Sequence, residues 1–263
     1  MNTEQQIAAE HDGGPLLVIA GPGTGKTTTL VGRYQHLLSM GIKANEILCC
    51  TFSRKAADEL KDRVTSQSAI NNKSLFIGTF HALALKVLRS IGSNIGLGKE
   101  FSIWSKNYER LAVVEEIQKR ESFIRLFEEL EFEDASPTAT LAYIDSVREE
   151  LLDPEDASIR ASEKGDKAEQ VYCEVYREYE HYLIEQGLLD FPRMVQLAVK
   201  ALEHNASISG AYLSKIKHVL VDEFQDINAA QKCMIDLYVS NGAKLWAVGD
   251  DYQAIYGWRG SDV

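Results

Sequence analysis

The sequence has no stretch of about 18 consecutive apolar residues, the length a membrane-spanning helix needs, so no membrane span is predicted. No basic segment precedes the first apolar run, so no secretory leader is predicted and cytoplasmic residence is expected. The four cysteines, Cys49, Cys50, Cys173 and Cys233, lack metal-ligand spacing and are read as reduced thiols. The six histidines form no cluster in sequence either. An excess of positive charge is also missing. The net charge of -11 argues against non-specific nucleic-acid binding over the whole surface. A local positive groove stays compatible with that balance, so any DNA contact must rest on particular residues. What the chain does have is 263 residues, 45% of them hydrophobic, enough for one large or two modest domains.

The organising stretch is Gly21-Pro22-Gly23-Thr24-Gly25-Lys26-Thr27, which fits the phosphate-binding pattern G-x-x-x-x-G-K-[ST]. Leu16 to Ala20 before it is a short apolar run, read as a buried strand, and Thr28 to Ser39 after it reads as a helix. Strand, glycine loop and helix together aim backbone N–H groups and a helix N-terminus at an anion. Gly21, Gly23 and Gly25 leave room for phosphate beside Thr24. Lys26 is expected on the β- and γ-phosphates, and Thr27 is expected to place its hydroxyl on Mg²⁺. A polyphosphate chain with Mg²⁺ is therefore the expected ligand of this loop, and the loop alone does not name the reaction.

Upstream, Asn2 and Gln5 have the spacing of a capping box, so a helix over about 3–11 is predicted. Gln5 serves as a cap on that reading. Its amide also carries both a donor and an acceptor, which suits the edge of adenine. Downstream, Ile47 to Phe52 and Leu75 to Thr79 read as further strands, each followed by a helix. Ser53 caps the first of these helices, whose Ala56, Ala57, Leu60 and Val64 fall on one face. Arg54, Lys55, Lys61 and Arg63 give it positive charge, either as a solvated face or as a nucleic-acid contact. Alternating strands and helices imply a parallel sheet with helices on both faces. Ligands in such folds sit beyond the carboxyl ends of the strands, where Thr51, Phe52, Thr79, Phe80 and His81 fall.

Composition changes after the glycine-rich segment 92–98. From about Asn107 to Gln186 the chain is charged, lacks obvious strands and repeats apolar residues at near-helical intervals. Pro137 marks a helix start, and Asp153-Pro154 a break. The stripe Tyr172, Val175, Tyr176, Tyr179 reads as core rather than as a base-stacking platform. The expected organisation is an α/β sheet domain over 1–105 and 187–263, interrupted by an all-helical subdomain over 106–186.

The chain then returns to strand character. Asp190 is expected to cap a helix with Pro192 in its first turn. Val219 to Glu223 combines a strand with two acids, which places Asp222 for Mg²⁺ and Glu223 to polarise or deprotonate an attacking water. The last strand is Leu245 to Asp250, and Gln253 beyond it suits contact with the γ-phosphate or that water. Tyr256, Trp258 and Arg259 cluster within four positions, which fits stacking on unpaired bases or buried packing alike.

Taken in order, Asn2 to Ala9, the phosphate loop, Thr51-Phe52-Ser53-Arg54-Lys55-Ala56-Ala57 and Gly78-Thr79-Phe80-His81 resemble the early motifs of UvrD/Rep/PcrA-like superfamily 1 DNA helicases. Val221 to Asn228 resembles that family's Walker B motif, and Val248 to Gly260 its third motif. The resemblance implies a RecA-like P-loop domain split by a helical subdomain, working as the ATP-binding half of a 3′-to-5′ DNA helicase. It implies that Gln5 reads adenine, that Gln253 senses the γ-phosphate and that Arg259 links nucleotide to DNA. It implies that Phe52, Arg54, Thr79, Phe80, His81, Tyr256 and Trp258 line a single-strand path. The implied partners are single-stranded DNA, 3′-tailed duplex DNA and a C-terminal RecA-like domain in cis, in replication or repair. The sequence departs from the family at Thr28, where members often carry Arg, so a weaker adenine contact is implied. It also stops soon after the third motif, before the second RecA-like domain, leaving a nucleotide-binding interaction module without motor activity as the other reading.

Overall fold

The computed structural model describes residues 1–66, 75–98, 100–129 and 136–250. In chain order the elements are α1 (Thr3–Ala9), β1 (Leu16–Ile19), α2 (Lys26–Ser39), β2 (Ile47–Thr51), α3 (Arg54–Ser66), β3 (Phe76–Thr79) and α4 (Phe80–Ile91). They continue with β4 (Ser102–Trp104), α5 (Asn107–Gln118), α6 (Glu121–Glu129), α7 (Pro137–Glu149), α8 (Pro154–Lys164), α9 (Lys167–Glu185) and β5 (Leu188–Asp190). The last are α10 (Phe191–His204), α11 (Ala206–Leu213), β6 (His218–Val221), α12 (Ala229–Ser240) and β7 (Lys244–Gly249).

The chain divides into two compact units, one over 1–97 and 197–263 and the other over 98–196. The division encloses more chain in the inserted unit than the 106–186 expected from composition. The reason is visible in the pairing. β4 and β5 form a two-stranded parallel sheet inside that unit, so its two ends are bonded to each other. The unit over 98–196 thus carries a small sheet at its two ends, while the described elements within 106–186, the span expected to be all-helical, are the helices α5 to α9.

The first unit is built on a five-stranded parallel sheet of order β1-β7-β6-β2-β3. β2 and β6 are buried along their whole length, as expected for strands covered on both faces. β1 is at the edge and alternates half-buried with exposed residues. One face of the sheet packs Ile47, Cys49, Leu220, Trp246 and Val248 against Leu30, Tyr34 and Leu37 of α2 and Leu60 and Val64 of α3. Local signals start the helices where expected. Asn2 and Gln5 form a reciprocal capping box on α1, and Ser53 Oγ accepts from Ala56 N at 3.1 Å to start α3.

In the second unit, Val114, Ile117, Leu141, Ile144, Val147, Val175, Tyr176, Tyr179 and Leu183 make one apolar core. The tyrosine stripe of α9 is therefore core. Asp153-Pro154 falls at the expected break between α7 and α8 and forms the N-terminus of α8, where Asp153 accepts from Asp156 N. A charged cluster is buried beside the core. Arg148 is fully buried and donates to Asp190 Oδ2 at 2.8 Å, to Glu180 Oε2 at 2.5 Å and to the Tyr176 hydroxyl at 3.3 Å. Burial opposes ionisation of Asp190, but Arg148 and Arg110 outweigh it and hold its carboxyl below the usual range. Asp190 also accepts from Arg193 N at 3.0 Å, capping α10 as expected.

Candidate nucleotide site

Because the sheet is parallel, its carboxyl-end loops lie side by side in strand order. The loop after β1 is the glycine-rich one. Gly23 has φ of 72° and Gly25 of 92°, backbone that an L side chain rarely adopts. Thr24 Oγ1 donates to Gly21 O at 2.7 Å and closes the loop on itself. α2 begins at Lys26 rather than at Thr28, so the conserved-pattern lysine and threonine occupy its first turn and the N-terminus faces the loop. Gln5 reaches into this loop: its Oε1 caps Asn2 N at 2.9 Å and its Nε2 donates to Thr24 O at 2.7 Å. A side chain at Gly25 would meet that amide at 2.7 Å. Gln5 therefore both caps α1 and ties it to the phosphate loop.

The loop after β6 carries the acids. Asp222 is buried, and Asp222 N donates to Cys50 O at 2.9 Å, which extends the β2–β6 ladder by one bond. Its carboxyl is pushed up to about 6 by burial and by the neighbouring Glu223. Glu223 takes the left-handed conformation, φ 52° and ψ 53°, one of two non-glycine residues to do so among those described. That turn points its carboxylate at the loop after β1, where Lys26 Nζ donates to Glu223 Oε2 at 3.0 Å. Gln225, buried in the short 3₁₀ turn Phe224–Asp226, bridges three groups. Its Nε2 donates to Glu223 Oε2 at 3.0 Å and Asp226 Oδ2 at 3.3 Å, and its Oε1 accepts from Asp250 N at 2.9 Å. Sequence reading assigned Gln225 no role, since no spacing announces a side chain that crosses to another strand.

Further along the same edge are the ends of β2 and β3, paired at Thr51 and Thr79. Phe52 is 40% exposed and Arg54 is exposed. Thr79 Oγ1 accepts from Ala82 N at 3.3 Å as the cap of α4, and His81 is half-buried. Phe80 is buried, at 4% exposure. Gln253, Tyr256, Trp258 and Arg259 lie outside the described residues.

A cavity of about 290 Å³ opens beside the first turns of α2. Thr28, Val31, Gly32 and Gln35 line it at the spacing of one helix face, with Met1 and Arg63 completing the wall. Arg63 was legible only as one of several positive charges on α3. Its guanidinium and the Thr28 position share this wall, although 35 residues separate them in a sequence that carries no Arg at 28.

Charge is divided unevenly between the units. Residues 98–196 hold 12 Lys and Arg against 24 Asp and Glu, a net of -12, so the remaining residues carry a net of +1. The acidity of the whole chain belongs to the inserted unit, and the sheet unit is near neutral.

The sequence profile of the UvrD/REP helicase N-terminal domain matches residues 1–263. The chain belongs to the UvrD/REP helicase family. It is 33% identical to the ATP-dependent DNA helicase PcrA of Staphylococcus aureus strain Mu50 and of Staphylococcus epidermidis strain ATCC 35984. In both comparisons the match covers 100% of this chain and 35% of the relative, so the chain spans about a third of the length of the curated relatives it matches. The mixed α/β architecture with its parallel central sheet is that of a RecA-like helicase domain. Among the described residues no helix is long and apolar enough to cross a membrane.

Proposed function

We propose that the chain is the ATP-binding half of an ATP-dependent DNA helicase that moves 3′ to 5′ on single-stranded DNA. The observation that carries this reading is the meeting of Lys26 and Glu223 at 3.0 Å, from loops after two different strands, beside the helix N-terminus of a phosphate loop. ATP is the substrate. Its β- and γ-phosphates draw Lys26 away from Glu223, because a triphosphate offers the ammonium more negative charge than one carboxylate. Glu223, released from that ion pair, accepts a proton from the water that attacks the γ-phosphorus, while the bond to the β–γ bridging oxygen breaks and ADP leaves.

The residues fit a divalent cation. Asp222 is a buried carboxylate whose pKa is raised first by burial and then by the charge of Glu223, and Thr27 supplies a half-buried hydroxyl in the first turn of α2. Among the described residues no group of three or more His, Cys, Asp or Glu gathers to hold a metal by itself. That donor set suits Mg²⁺ shared with phosphate oxygens, which would neutralise charge on the transferring group. On this reading Thr27 and Asp222 hold the ion, Gln253 contacts the γ-phosphate and Gln5 faces adenine. The cavity beside Thr28 supports a base-side contact through Arg63, which restores from α3 a guanidinium that position 28 lacks.

Single-stranded DNA follows the other end of the same sheet edge, past Phe52, Arg54, Thr79 and His81; Tyr256 and Trp258, which lie outside the described residues, keep the base-stacking role that their motif implies, and Arg259 the role of linking nucleotide to DNA. The near-neutral charge of the sheet unit supports this, since the acidic balance of the chain lies elsewhere. Fast phosphate release and duplex separation call for a second RecA-like domain in cis to supply the facing arginine; the chain alone is expected to cleave ATP slowly. Cytoplasmic residence accompanies this role. The test is strand displacement on 3′- and 5′-tailed duplexes by a protein that joins this chain to such a domain. Unwinding from a 3′ tail is expected, and unwinding only from a 5′ tail overturns the polarity.

A further inference from the structure

We propose that Gln225 is a positioning residue that holds the Glu223 carboxylate, the water-activating group, and couples it to the end of β7 at Asp250. The inference rests on the reading of Glu223 as that group. Its warrant is the direction of three hydrogen bonds. A backbone N–H only donates, so Asp250 N at 2.9 Å fixes the Gln225 oxygen toward β7. The amide nitrogen then faces the other way and donates to Glu223 Oε2 at 3.0 Å and Asp226 Oδ2 at 3.3 Å. One planar group thus joins two neighbouring strand ends, β6 and β7, which are paired in the sheet from His218 to Val221. The approach is close: a Cβ on Gly249 would stand 2.7 Å from Gln225 Oε1, so the amide would have to leave this position.

The same carboxylate oxygen of Glu223 serves both Lys26 and Gln225. When phosphate takes Lys26, Gln225 is the bond that remains on that oxygen among the contacts described. It leaves Oε1 of Glu223 to receive a proton. Glu223 also sits in left-handed backbone, which a non-glycine residue keeps only where its surroundings hold it. Gln225, two residues on and buried, supplies such a hold.

The test uses the 263-residue chain and two variants, Gln225→Met, which keeps length and bulk, and Gln225→Leu. Mg²⁺-ATP affinity is measured by calorimetry, and cleavage by single turnover with protein in excess over ATP. Both variants are expected to bind within about twofold of the parent while cleaving about 10- to 100-fold more slowly, the scale of a small misplacement of a reacting group. Cleavage at the parental rate by Gln225→Met overturns the proposal. A second readout does not depend on turnover: the Asp250 amide resonance in nitrogen-15 spectra. Glu223→Ala is expected to move it in the parent and to leave it in place in the Gln225→Met background. Equal displacement in both backgrounds overturns the coupling. Failure of the parent to bind Mg²⁺-ATP would instead sink the nucleotide reading, leaving the amide experiment to decide the role of Gln225.

Discussion

Lys26 Nζ stands 3.0 Å from Glu223 Oε2 although 197 positions separate the two residues in the chain. The parallel sheet makes the contact, by bringing the loops after β1 and β6 to one edge with only β7 between them. The pair is mostly shielded, at 11% and 32% side-chain exposure, so each partner answers to the other's charge.

The first prediction separates the two roles. Lys26→Ala removes the cation that the triphosphate recruits, and Mg²⁺-ATP affinity is expected to fall by about 1.5–3 kcal/mol, the value of hydrogen bonds to charged groups. Glu223→Gln retains binding and tightens it slightly, because the carboxylate no longer competes for Lys26. Titration calorimetry on both variants measures this, and unchanged affinity in Lys26→Ala contradicts the phosphate role.

The second concerns the inserted unit. Arg148 and Asp190 are both fully buried and satisfy each other at 2.8 Å. Arg148→Ala removes one of the two guanidinium groups that compensate the buried Asp190, leaving Arg110 at 3.1 Å, and is expected to cost about 3–5 kcal/mol, seen in urea unfolding. Arg148→Lys should not rescue it, since three groups are held by the guanidinium fork and an ammonium has no such geometry. A loss below about 1 kcal/mol would show the cluster to be worth no more than a surface ion pair.

The third follows from His218, buried at the start of β6. Burial first, then Arg33 and Lys244, lower its pKa from 6.5 to about 4. The folded state therefore resists protonation that the unfolded chain accepts. Its contribution is fully present above pH 6.5 and is lost as pH falls toward 4. His218→Gln should remove that part of the acid loss, so the stability difference between parent and variant shrinks on going from pH 7 to pH 5. A difference that stays constant with pH rules out the buried neutral imidazole.

Much of this architecture was readable in the sequence, for reasons tied to particular residues. β2 and β6 are unbroken apolar runs because both their faces are covered. Asn2 with Gln5, Ser53 and Asp190 announce helix starts because each cap is local. What could not be read depends on partners distant in sequence. A charged helical segment reads as solvated, so Arg148 among Asp190, Glu180 and Tyr176 gave no signal. The strands β4 and β5 have three residues each and lie 86 positions apart, too short for a period and too far for a hairpin. Phe80 carried an aromatic signal that serves the core equally well, and its burial could not be read from spacing. Gln225 was visible as a residue of the acidic motif, but its partners across β7 were not.

The fourth prediction tests the cavity beside α2. Arg63→Ala is expected to weaken ATP about 5- to 30-fold, the effect of losing one or two kcal/mol, and to leave inorganic triphosphate binding unchanged. Thr28→Arg in the Arg63→Ala background should recover part of the loss, since both positions line the same wall. Competition against a fluorescent nucleotide measures both. Equal losses for ATP and triphosphate would place Arg63 on the phosphates instead of the base.

The central claim is that this chain holds the ATP-binding half of a motor whose catalytic charge is completed from a second domain. On the proposed reading, Lys26, Thr27, Asp222 and Glu223 supply the ground-state contacts. Stabilisation of the charge that spreads over the transferring phosphoryl group needs a facing arginine, worth about 10³- to 10⁵-fold in rate. The most direct measurement is steady-state phosphate release by the 263-residue chain in saturating Mg²⁺-ATP, with and without single-stranded DNA. The account predicts slow release, far below the enzyme median of about 10 per second, and little stimulation by DNA. Turnover near about 10 per second with strong stimulation by DNA would contradict it.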